Sequence, residues 1–152
     1  MSTRWIPERI VIPHDNHRGR YVGRTRSGEQ FFITTPFEWR DKRREFVALY
    51  LFNSEGDLIE AVIDELSDHE ARTGPSPATL EDRIKRHLER LGPVEYRDIS
   101  VKLFEVSRHG TIFGLVPASS SNCGEEEPTP SVELKPGDYM AFTQPWLGSY
   151  DT

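Results

Sequence analysis

The sequence predicts an α+β fold: a mostly antiparallel, curved sheet of about six to seven strands, built from successive hairpins, with one main amphipathic helix on one face. Three observations carry that reading. Residues 46–52 are seven consecutive apolar or aromatic positions, Phe-Val-Ala-Leu-Tyr-Leu-Phe, stopped by Asn-Ser-Glu-Gly-Asp. The run is short for a helix and rich in β-formers, so it reads as a strand buried on both faces at the middle of the sheet. Other β-rich segments follow one another across short Gly-containing turns, the pattern of hairpins. Helical periodicity is clearest in one segment, where Leu80, Ile84, Leu88 and Leu91 recur every three or four positions.

At 152 residues the chain is expected to be a single domain, long enough to bury a core without disulfides or a metal. Hydrophobic residues make up 36% and charged residues 29%, with 8 Phe, 5 Tyr and 3 Trp, a globular composition. Lys and Arg number 19 against 25 Asp and Glu, a net charge of −6. Such a chain has no overall attraction for nucleic acid or anionic membranes. Cys123 is the one cysteine, so no internal disulfide can form and a reducing compartment suits the chain. With no signal-like start and no run approaching a membrane span, the expected location is the cytoplasm.

In chain order, residues 1–19 read as an N-terminal docking segment, with Trp5, Ile6 and Ile10 to Ile12 as its apolar part. Residues 21–25 and 29–35 form a hairpin around Arg26-Ser-Gly28, with Gly28 supplying the positive φ of a tight turn. Pro36 closes the second strand. Residues 37–44 are a loop holding Trp39 and the basic group Arg40, Lys42, Arg43 and Arg44. After the central strand, Asn53 to Asp57 looks like a turn with Gly56 left-handed. Leu58 to Glu65 is ambiguous between strand and helix, with strand favoured. As a strand it turns Ile59, Ala61 and Ile63 inward and Glu60 and Asp64 outward. The helix spans about 77–91, opened by Ser76-Pro77 and ended by Gly92-Pro93.

Residues 98–106 and 111–116 form a further hairpin. Its first strand switches phase near Phe104, which predicts a bulge or bend, and Gly114 marks a close backbone approach or a second kink. Residues 117–131 read as a mobile acidic loop containing Cys123 and Glu125 to Glu127. Lys135-Pro-Gly-Asp138 reads as a type II turn. The last segment, 144–152, keeps Trp146 and Tyr150 to the end and is expected to be packed rather than frayed.

One helix covers one face, yet the central strand is apolar on both. Leaving three or four such side chains wet would cost on the order of 5–10 kcal/mol. The expected covers for the second face are, first, curling of the sheet with a lid from the chain ends, then a second copy in a homodimer, with a helix over residues 57–70 as a further alternative.

No catalytic constellation assembles from the motifs, and no cofactor is implied. His14 and His17 have H-x-x-H spacing, a weak metal-site candidate that reads first as an exposed polar loop. Cys123 beside three glutamates is a poor nucleophile. The first functional expectation is therefore a small cytoplasmic, non-enzymatic binding or accessory protein, acting on a protein partner or on itself. Its contacts would come from the second sheet face or a rim of Trp39, Tyr50, Trp146 and Tyr150. The alternatives are a small-molecule or enzymatic cup lined by Tyr21, Tyr50, Phe104 and Tyr139, and single-stranded nucleic-acid binding through residues 37–44, which the net charge disfavours.

Overall fold

A computed structural model describes residues 6–16, 18–39, 43–66, 77–120, 129–136 and 140–151. It is an α+β structure, and every strand pairing among the described residues is antiparallel. The strands fall into three sheets of six, five and two members.

The six-stranded sheet is organised by β5 (Arg43–Phe52), which contains the apolar run. One edge of β5 pairs with β3 (Gln30–Thr34) and, further along, with the short β4 (Phe37–Trp39). Its other edge pairs with β6 (Leu58–Glu65) through the Asn53–Asp57 turn, where Gly56 has φ +95°. Strand, not helix, is therefore the outcome for 58–65. β2 (Tyr21–Thr25) hairpins onto β3 with Gly28 at φ +92°, and β7 (Val94–Tyr96) pairs on β2.

The alternation of β5 sends its side chains into two separate cores. Val47, Leu49 and Leu51 join Phe31 and Ile33 beneath helix α1 (Pro77–Leu91), which lays Leu80, Ile84, Leu88 and Leu91 on them. The helix stops where Gly92 turns to φ +79° and donates to the carbonyls of Leu88 and Glu89. Phe46, Ala48, Tyr50 and Phe52 point the other way, into a larger core.

Neither a curl of one sheet nor a second copy is needed to cover that larger core. A separate five-stranded sheet of the same chain supplies Phe113, Leu115, Val132, Leu134 and Phe142. Its strands are β9 (Phe104–Arg108), β10 (Thr111–Ser120), β11 (Thr129–Lys135), β12 (Ala141–Phe142) and β13 (Tyr150–Asp151). The expected loop 117–131 is thus shorter: 117–120 and 129–131 are strand, paired from Pro117↔Val132 to Ser120↔Thr129, and Cys123 and Glu125 to Glu127 lie outside the described residues. Gly114 sits where a Cβ would lie 2.1 Å from the Phe104 carbonyl oxygen, the close approach read from the sequence.

The remaining pair, β1 (Arg9–Ile12) and β8 (Ile99–Lys102), adds Ile10, Ile12, Ile99 and Val101 to the same core. The phase switch near Phe104 is the break at Leu103, where the chain leaves β8 and enters β9 in another sheet. The Lys102 ammonium, 3.0 Å from Asp57, holds that carboxyl below its ordinary range. The Lys135–Pro136 bond is cis, and 137–139 of the expected type II turn lie outside the described residues.

Candidate functional site

The two ends of the described chain are clasped together, and the clasp carries the most exposed large apolar side chain among the described residues. The N-terminal half is a tight loop after β1. Asp15 N–H donates to the Gly19 carbonyl (3.0 Å), and Gly19 N–H donates to Asp15 Oδ1 (2.9 Å). Only glycine fits at 19, since a Cβ would lie 1.9 Å from the Pro13 oxygen. The C-terminal half reaches across to this loop. Tyr150 Oη donates to Asp15 Oδ2 at 2.7 Å, and Val11 N–H donates to the Trp146 carbonyl at 3.0 Å. Burial, then the bond to Asp15, pushes the Tyr150 phenol up to about 12.

Between those anchors the backbone takes an unusual path. Trp146 has φ +70° and Gly148 φ +114°. Leu147, between them, is 72% exposed. A Cβ added at Gly148 would lie 3.6–3.7 Å from carbons of the Pro13 ring, so the two residues adjoin. His14, next to Pro13, stacks on the 43%-exposed Tyr96 with ring centres 5.3 Å apart. Leu147, Pro13, His14 and Tyr96 thus follow one another along the clasp.

The residues singled out from sequence fall in different places. Trp146 and Tyr150 are partly buried and packed on the larger core. Tyr50 is fully buried against Phe104, with ring centres 4.7 Å apart, and burial raises its phenol pKa. It therefore offers no surface to a partner, and Tyr139, also expected to line a cup, lies outside the described residues. Trp39 ends β4, and its side chain lies outside the described structure. His14 is a stacked ring, and His17 lies outside the described residues. No group of His, Cys, Asp or Glu able to hold a metal occurs among the described residues.

Arg44, offered as part of a basic patch, points inward. It makes a bidentate pair with Glu65 (2.9 and 3.0 Å), donates to the His109 carbonyl (2.7 Å) and reaches Thr111 Oγ1 (3.2 Å). Thr111 donates in turn to the buried Glu38. His109, at φ +53°, caps the Ile63 carbonyl of β6 with Nε2 at 2.8 Å. This network joins β4, β5 and β6 to β10. Thr111 is 3% exposed, which leaves a substrate no approach to it.

The helix face of β6 also differs from expectation. Glu60 and Asp64 face the helix, not open water: Arg90 meets Glu60 at 2.6 Å and the 7%-exposed His87 meets Asp64 at 3.0 Å. Ile59, expected inside, is 49% exposed beside the register shift at Leu51 and Phe52. Two clefts flank the helix. One of about 270 Å³ lies by its first turns, with Arg18, Arg20, Thr34 and Thr35 at its walls. The other, of about 390 Å³, lies by its last turn, where Arg90 and Glu60 pair. No helix among the described residues is long and apolar enough to cross a membrane.

Comparison of the chain with protein-family models, with curated proteins and with solved structures finds no match to any of them.

Proposed function

We propose that the chain is a small non-enzymatic binding or accessory protein that works through a protein–protein contact, centred on Leu147. The sheet face first expected to make that contact is filled by the molecule's own second sheet, so the reading no longer rests there. It rests on one observation: a leucine 72% exposed, held between two positive-φ residues.

A tryptophan in the left-handed region costs about 1–2 kcal/mol. Trp146 bears that cost while its ring packs on the core and its carbonyl accepts from Val11. The product of the strain is a leucine turned out to water at a fixed place. Burying such a side chain recovers about 1.5–3 kcal/mol, and a fixed anchor loses little entropy on docking. The neighbouring Pro13, His14 and Tyr96 suit a protein surface better than a phosphate backbone. An inhibitor or immunity-type role in the cytoplasm fits the same small acidic format.

The test is capture from an extract of the source cell on three immobilised proteins: wild type, Leu147→Asp, and Ile112→Asp as a control at a site 44% exposed on β10. A protein retained by wild type and the control but lost with Leu147→Asp supports the reading. Identical retention on all three overturns it.

A further inference from the structure

We infer that the outer edge of β7 pairs with the same edge of a second copy of this chain, continuing the six-stranded sheet antiparallel across a two-fold axis at Tyr96. This does not depend on the Leu147 contact. β7 ends that sheet, and among the described residues no strand pairs on its outer side. Its inner side is fixed by the ladder to β2: Arg97 N–H donates to the Val22 carbonyl at 3.1 Å, and Glu95 stands opposite Arg24. Inward- and outward-bonding residues alternate along an antiparallel ladder, so the N–H and C=O of Tyr96 face away from β2. Residues 95–98 are all exposed. An open edge is a template for another strand unless something guards it. The sheet's free side along β6 is guarded by the register shift beside Ile59 and by His109, which takes the Ile63 carbonyl. β7 carries neither device.

Charge selects a second copy as the partner. A two-fold axis at Tyr96 lets each Tyr96 exchange two backbone bonds with its equivalent, and it puts Glu95 of each copy opposite Arg97 of the other. Opposite charges directly across a ladder attract and like charges repel. Glu95 and Arg97 lie on one face of the strand, 3.8 Å apart and both exposed, so pairing turns one long contact within each copy into a cluster of four alternating charges. The other charges beside them balance: Arg24 across the ladder from Glu95, and Asp98, whose Oδ1 accepts from His14 N–H. Two copies therefore meet on a locally neutral strip although each totals −6. An axis at Glu95 would instead set Glu95 against Glu95. So short a strand buries far less than the roughly 1,200 Å² of a stable interface, which makes the pairing weak, with a Kd of about 0.1–1 mM.

The experiment is sedimentation equilibrium of the full-length protein from about 20 μM to about 2 mM, a range that brackets that Kd. Glu95→Arg and Arg97→Glu each set like charges across the axis, so each variant alone should self-associate about tenfold more weakly than wild type. An equimolar mixture of the two variants recreates both opposite-charge pairs and should associate within about twofold of wild type. The double variant carrying both substitutions should do so by itself. Both side chains are exposed, and circular dichroism reports whether each variant is folded. A wild type that stays monomeric over the whole range, folded single variants that associate as wild type does, or a mixture or double variant that fails to recover would each overturn the inference.

Discussion

Gln30 stands next to two phenylalanines and an isoleucine in β3, 1% exposed, with both ends of its amide in use. Its Nε2 donates to the carbonyls of Asn53 (3.1 Å) and Ser100 (2.9 Å), and its Oε1 accepts from Ser100 N–H (2.8 Å). The side chain therefore acts as a rung between the six-stranded sheet and β8. Gln30→Leu keeps the bulk but strands three backbone groups, so it should cost about 2–4 kcal/mol. Urea unfolding with an unchanged m-value checks this; a loss below about 1 kcal/mol would mean that water replaces the rung. The positive φ at Gly28 and Gly56 follows from local pattern, and Gly114 is marked as a close approach or a kink. The buried polar residues Gln30 and His87 carry no such mark. Their partners lie 70 and 23 positions away, and no spacing in the sequence marks them. Leu147 is unmarked for a different reason: its exposure is a property of the fold.

Helix α1 was legible in full, from Pro77 to Leu91, since its stripe, its opening proline and its closing glycine are all local signals. The hairpin strands around Gly28 and Gly56 were legible for the same reason. β11 was not, because Thr-Pro-Ser at its start reads as loop and becomes strand only by pairing with β10. The ties between elements were equally hidden, and the Arg44 network is the densest of them. It joins β4, β5, β6 and the β9–β10 turn around one guanidinium whose side chain is 22% exposed. Removing one partner of a buried pair costs about 3–5 kcal/mol, and partial exposure lowers that, so Arg44→Met should cost about 2–3 kcal/mol. Glu65→Gln should cost less alone, and the double variant should fall short of the sum of the singles. Additive losses in denaturant unfolding would show that the guanidinium and Glu65 do not act as a unit.

Three sheets share the larger core, and the clasp between the chain ends closes one border of it. That one helix cannot cover both faces of β5 follows from the apolar run alone. The remedy, a second sheet, does not, because that sheet's apolar side chains come from segments spread over 111–142 whose alternation is broken by Gly114, Pro117 and Pro136. Closure at the clasp gives the whole molecule a pH signature. The Tyr150 phenol ordinarily loses its proton near 10.0 and is raised to about 12 in the fold, by burial first and by its bond to Asp15 second. A group whose folded pKa lies above its unfolded one holds more protons in the folded state between the two values, so stability there falls as pH rises. Below 10.0 the contribution is intact; through about 12 it is lost. Burial raises the phenols of Tyr50 and Tyr96 as well, so they steepen the same alkaline slope. Tyr150→Phe should therefore flatten the fall in urea midpoint above pH 10.0 without abolishing it, and should leave the profile from neutral pH up to there parallel to wild type at a lower level. If both proteins lose stability with the same slope above that pH, the phenol is not held by Asp15 and the chain ends are clasped by packing and backbone bonds alone.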